Sequence, residues 1–198
     1  EVFHLLALGT KAKIQVLVGD RAGAAETLAK AGELLRRIGR ATVYHVSFFL
    51  TARLLHDVDV LEASLEGGRG PAARTLARQA WRSVRAAVNI AARVARERVE
   101  VYRLAGRLCW LLGRHERALA WWRRSIVAGR ALGARPELTR TYAEVGLRLS
   151  AEGAGRRTLD GVEAGEYLDM ARAQYDELEL AWDRAQLAHA GELRAAAG

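Results

Sequence analysis

Apolar residues return every three or four positions through almost the whole chain, and the interruptions fall on glycine or proline. That period predicts α-helices at roughly 2–18, 21–38, 41–66, 72–95, 97–112, 115–131, 137–151 and 163–193. The last should break near Leu180, which makes about eight or nine helices. Gly19, Gly39, the run Gly67-Gly68-Arg69-Gly70-Pro71, Gly113, Gly133 and Gly153 mark the turns. Glycine suits such places because the residue after a helix often takes a left-handed conformation that other side chains resist. Helix 72–95 shows the pattern: Ala73, Leu76, Ala77, Ala80, Val84, Ala87, Val88 and Ala91 make one stripe, and Arg74, Arg78, Arg82 and Arg85 another. One face packs, and its small alanines let neighbouring helices approach closely. The fold class expected is all-α.

The pattern repeats. Tyr102, Ala105, Gly106 and Cys109 precede a turn at Leu112-Gly113, and Ala118 and Trp122 follow it. Gly106 and Ala118 lie twelve positions apart, which places two small residues on facing helices of one hairpin, with bulky Tyr102 and Trp122 beside them. Ala12 and Ala24 repeat that step across Gly19, with Leu8 and Leu28 in the large positions. A third copy starts at Tyr142, Val145, Gly146 and Leu149 and resumes at Ala171 and Tyr175. The glycine-rich, charged insertion around Glu152 to Ala164 should form an exposed, mobile loop. Helices 41–66 and 72–95 carry no clean first-helix signature and look overlong.

On these residues the chain resembles the tetratricopeptide repeat family, clearly at 99–150 and weakly elsewhere. The resemblance implies antiparallel hairpins stacked as a right-handed solenoid in one domain. Its units would be about 2–38, 41–95, 97–131 and 137–180, with a capping helix at about 181–193 because the last repeat of a stack exposes an apolar face. The stretch Ala131-Leu132-Gly133-Ala134-Arg135-Pro136-Glu137-Leu138, followed by Thr141-Tyr142 and Gly146, is similar to repeat regions of large bacterial signalling proteins built around ATPase or cyclase modules. Phosphate-loop and cyclase motifs do not occur in these residues. The opening at Glu1, inside a helical pattern, suggests a piece of a longer protein.

Charge changes this picture by its distribution. The chain carries +8, yet residues 69–140 alone hold seventeen arginines against Glu97, Glu100, Glu116 and Glu137. Only Lys11, Lys13 and Lys30 are lysines, so part of the surplus reflects an arginine-rich composition. The resemblance implies that the first helix of each repeat lines a concave groove, where the exposed residues would be Lys13, Arg103, Arg107, Trp110 and Arg140. A groove of that composition suits an acidic peptide or a chain carboxylate, because a guanidinium grips a carboxylate with two parallel hydrogen bonds. The competing reading is that these arginines bridge to neighbours such as Glu100 and Glu144.

Other chemistry is thin. His56-Asp57-Val58-Asp59 lacks the further ligands a metal-dependent phosphohydrolase needs, and His4, His45, His115 and His189 are scattered. No nucleophile, base and orienting group can be paired by spacing, so no catalytic residue, metal or cofactor is expected. Cys109 falls on a packing position, and one cysteine cannot make an internal disulfide, which points to a reducing, cytoplasmic setting. No window is apolar enough to span a membrane. The function expected is protein–protein interaction or scaffolding in a bacterial signalling protein, with a protein or acidic peptide as partner. A homodimer through the terminal helix around Leu178, Leu180, Trp182 and Leu187 is the other assembly considered. Nucleic-acid binding through the arginine belt ranks behind these, because few exposed aromatics interleave the arginines.

Overall fold

The computed structural model describes residues 1–68, 70–151 and 157–195. Among them nine α-helices follow one another: α1 (Val2–Leu17), α2 (Arg21–Ile38), α3 (Val43–Glu66), α4 (Pro71–Arg93), α5 (Arg98–Leu111), α6 (His115–Leu132), α7 (Arg135–Leu149), α8 (Ala164–Glu177) and α9 (Ala181–Ala195). A short 3₁₀ turn at Ala95–Glu97 joins α4 to α5, at the boundary the apolar period places between 95 and 97. The fold is all-α.

Local chemistry sets the boundaries. The Asp20 carboxylate accepts the Gly23 backbone N–H at 2.9 Å and so caps α2. Pro71 opens α4 and Pro136 lies in the first turn of α7, positions where a missing N–H goes unmissed. Gly133 ends α6 with φ 61°, ψ 24°, a left-handed conformation in which a Cβ would be strained.

Consecutive helices α1 and α2, α3 and α4, and α5 and α6 pack as pairs joined by short turns, which makes each pair antiparallel, and α8 packs on α7 after the longer connection 150–163. The first helices also touch in sequence order, α1 on α3, α3 on α5, α5 on α7 and α7 on α9. Leu5, Leu28, Leu34 and Phe49 fill the core beneath α1 to α3. Leu54, Val58, Val84, Val101 and Leu108 fill the middle, and Leu119, Trp122, Tyr142, Leu149 and Tyr175 fill the far end. In the central hairpin α6 lies so close to α5 that the Trp122 ring covers Gly106, while the Trp122 indole donates to the Arg103 carbonyl at 3.2 Å.

The described part of the insertion near 152–164 is largely exposed, as expected, but it is ordered as a hairpin with one buried residue. Residues 152–156, with Gly153, lie outside the described residues, as does Arg69 of the first glycine run. The rest is a hairpin in which β1 (Thr158–Leu159) pairs antiparallel with β2 (Val162–Glu163). Asp160 and Gly161 form its tip with φ 55° and 82°, the paired positive values of a tight two-residue turn. Leu159 is fully buried beneath this turn, and the Tyr167 hydroxyl donates to its carbonyl at 3.2 Å. The hairpin is thus a lid over the α6–α8 core, held by an apolar plug.

Candidate functional site

Two concavities combine charge with apolar surface. The first lies where α1, α3, α5 and α7 run side by side and α9 closes the end. It is a cavity of about 320 Å³, lined by Arg103, Arg107, Arg140 and Glu144 together with Leu55, Ala143, Leu147 and Leu187. Leu17 of α1 and Trp182 of α9 stand on its walls, 41% and 44% exposed.

This groove gathers three of the arginines that the repeat register assigns to it, but it gathers carboxylates too. Arg107 pairs with Glu62 of α3, its Nε donating at 2.8 Å. Arg148 donates to Glu62 at 2.7 Å and to Glu144 at 2.8 Å. Arg140 makes a two-pronged contact with Asp183 of α9, at 2.7 and 2.8 Å. Lys13 lines a neighbouring hollow with Phe48 and Glu97 and donates to Glu100 at 2.5 Å. The groove is therefore charge-balanced rather than basic, because each first helix brings carboxylates that meet the cations of the next.

Burial alone would raise the Glu144 carboxyl, but Arg148, Arg107 and Arg103 outweigh it and hold the group at about 2. Burial is likewise overridden at Glu100, which Lys13 and Arg103 hold below the usual carboxylate range.

Arg103 is the exception. Its guanidinium is only 11% exposed and lies 3.7 Å from both Glu100 and Glu144, beyond hydrogen-bonding distance. Its buried Nε reaches no acceptor among the described residues.

Trp110 does not line this cavity. It sits at the end of α5, stacks on His115 with ring centroids 4.3 Å apart, and tilts against Trp122 at 5.4 Å. The turn into α6 supplies that stacking partner, so Trp110 packs within its own hairpin instead of facing a partner.

The second concavity was only half legible in the sequence. It runs between α4 and the start of α6 as a cleft of about 930 Å³, continuing into a hollow of about 700 Å³ at the start of α4. Arg74, Arg78, Arg82 and Arg85 line it from α4, and Arg114 and Arg117 from the α6 end. Trp81 and Trp121 sit among them. The Arg114 guanidinium lies 5.3 Å from the centre of the Trp81 ring, and Arg124 lies 4.9 Å from that of Trp121. Among the described residues no carboxylate lines the cleft.

The remaining sequence candidates have structural partners. Asp57 is buried and accepts from Ser83 at 2.5 Å and Gln79 at 2.7 Å, tying α3 to α4. Asp59 accepts from Arg21 at 2.6 Å. Cys109 is fully buried, and burial pushes its thiol up, away from the reactive thiolate. Among the described residues no helix is long and apolar enough to cross a membrane. Comparison with family models, with curated proteins and with solved structures finds no match to this chain.

Proposed function

We propose that the chain is a protein-interaction module, a helical-repeat scaffold of the tetratricopeptide type that holds a partner segment in the groove formed by its first helices. The observation that carries the reading is the cavity itself. Leu17 and Trp182 expose apolar surface on its walls, and its floor holds one buried guanidinium, Arg103, with hydrogen bonds unspent. Large aromatic and arginine side chains around a recess are the usual anchors of an interface.

The ion pairs of the groove refine the partner. Arg107, Arg140 and Arg148 are committed to Glu62, Glu144 and Asp183, so general attraction for acidic peptides is weak. The segment that fits carries one carboxylate, for Arg103, flanked by apolar side chains for Leu17 and Trp182. The setting we propose is a regulatory or sensor part of a larger cytoplasmic signalling protein of bacterial type.

A displayed library of short peptides, selected on the intact chain and measured by calorimetry, tests this. Peptides enriched for an apolar–acidic–apolar pattern should bind, and Arg103→Gln should weaken them about 10- to 100-fold, the usual range for a hydrogen bond to a charged group. Trp182→Ala should weaken them comparably. Selected peptides that bind both variants as tightly as the parent chain would sink the groove assignment.

A further inference from the structure

The α4–α6 cleft, about 930 Å³, is lined by cations and, among the described residues, by no carboxylate. Arg74, Arg78, Arg82 and Arg85 follow one another at four- and three-residue steps along α4, a row of cations about 4.5 to 6 Å apart along the axis. Arg114 and Arg117 face the same cleft from the α6 side. None of these six forms an ion pair among the described residues, whereas the groove arginines are bridged across helices. Keeping so many like charges around one recess is unfavourable unless an anion is at hand.

The cleft also discriminates between kinds of anion. Its polar walls are almost entirely donors, since only Thr75 and Asn89 carry an acceptor in their side chains. An extended acidic peptide would bring a backbone N–H at nearly every residue and find almost nothing to accept it. A phosphodiester strand brings acceptor oxygens at every unit. The recess lies between two helices, whereas reading a duplex needs an element that projects into its groove.

Trp81 and Trp121 are half-buried, Trp121 with Tyr102 packed at 5.5 Å, and the part of each ring that lines the cleft supplies the second requirement of a single strand, an aromatic surface for a base whatever its sequence. These rings already carry guanidinium groups over them, Arg114 on Trp81 and Arg124 on Trp121, a contact that leaves arginine N–H groups available for phosphate. Few exposed aromatics were expected among the arginines, and these two rings are half-buried, but folding brings Trp121 of α6 opposite the arginines of α4.

We infer that the α4–α6 cleft is a binding site for single-stranded nucleic acid, with α4 tracking the phosphates and the two tryptophans receiving bases. It is distinct from the peptide groove and does not depend on it.

Fluorescence anisotropy of the intact chain with a labelled oligo(dT), a duplex of equal length and a poly-glutamate peptide of equal charge tests the assignment. The oligo(dT) should bind at low salt. With three to five phosphates engaged, affinity should fall roughly 20- to 100-fold between about 50 and about 200 mM salt, from the counterion release of single strands. The Arg78→Gln, Arg82→Gln double variant should lose at least about tenfold, and Trp121→Leu about tenfold from lost stacking, with unchanged circular dichroism. Arg103→Gln should bind like the parent chain. Absence of oligo(dT) binding at low salt, or indifference to the arginine double variant, would overturn the site. Poly-glutamate binding of equal strength and equal sensitivity would reassign it to an acidic protein segment, and duplex binding as tight as oligo(dT) would overturn the single-strand assignment.

Discussion

Gly106→Ala tests how the central hairpin is held together. A methyl built on Gly106 would stand 2.9 Å from Cε2 of Trp122 and closer still to its Nε1 and Cδ1. The ring cannot swing away easily, since Trp122 is fully buried with Trp110 packed at 5.4 Å. Forcing one carbon into such a site costs about 1–3 kcal/mol. Displacing the ring also weakens the indole bond to the Arg103 carbonyl, worth about 1 kcal/mol. Alanine's better helix propensity returns about 1 kcal/mol, so the net loss is about 1–3 kcal/mol. For a chain of this size that lowers the midpoint of thermal unfolding by about 3–10 °C. Gly191→Ala in α9 is the matched control. Nothing lies within 4 Å of the added methyl, so propensity acts alone and the midpoint should rise by a few degrees. Both are read by differential scanning calorimetry. A Gly106→Ala chain as stable as the parent would refute the claim that the small residue is there to admit Trp122.

Three further outcomes follow from the same structure. Glu144 is held at about 2 against an ordinary 4.5, so its contribution is complete above about pH 4.5 and is lost as the pH falls toward 2. Up to about 3 kcal/mol should disappear over that window in denaturant titrations, and a Glu144→Gln chain should show a flatter profile; an identical pH dependence in the two chains would exclude the groove network as the source. Leu159→Ala empties the plug beneath the β-hairpin and should destabilise by about 2–4 kcal/mol, while Thr158→Ala on the exposed side should change stability by under about 0.5 kcal/mol. Arg140 and Asp183 should show a coupling of about 1–2 kcal/mol in a double-mutant cycle, and a value near zero would mean that α9 is held by apolar contacts alone.

What could be read from the sequence was whatever depends on near neighbours. Helix periodicity, and the pairing of Gly106 with Ala118 and of Ala12 with Ala24, are local patterns, and all four residues are buried in the structure. The Asp160-Gly161 dipeptide is a strong hairpin signal, yet it lay inside a stretch whose glycines and charges suggested a loop. Salt-bridge partners were harder. Glu144 and Arg148 are one turn apart, but Glu62 reaches Arg107 and Arg148 only because α3 and α7 flank α5, and Asp183 reaches Arg140 only through the return of α9. The resemblance could therefore place Arg103, Arg107 and Arg140 along one groove, but not the carboxylates that other helices bring to it. Trp110 was assigned to the groove for the same reason: its helix face could be read, but not that the turn into α6 would lay His115 against it.

The contrast between the two concavities follows from that difference. Both are dense in arginine, so composition does not separate them. In the groove, carboxylates from neighbouring first helices cancel the charge, and only the buried Nε of Arg103, whose guanidinium lies 3.7 Å from Glu100 and Glu144, reaches no acceptor among the described residues. Among the described residues that line the α4–α6 cleft there is no carboxylate, which is what makes it the site we propose for an anionic strand. Salt should therefore distinguish the two sites on one molecule. Peptide binding in the groove rests on apolar burial and one shielded guanidinium and should change little with ionic strength, whereas strand binding in the cleft should weaken steeply.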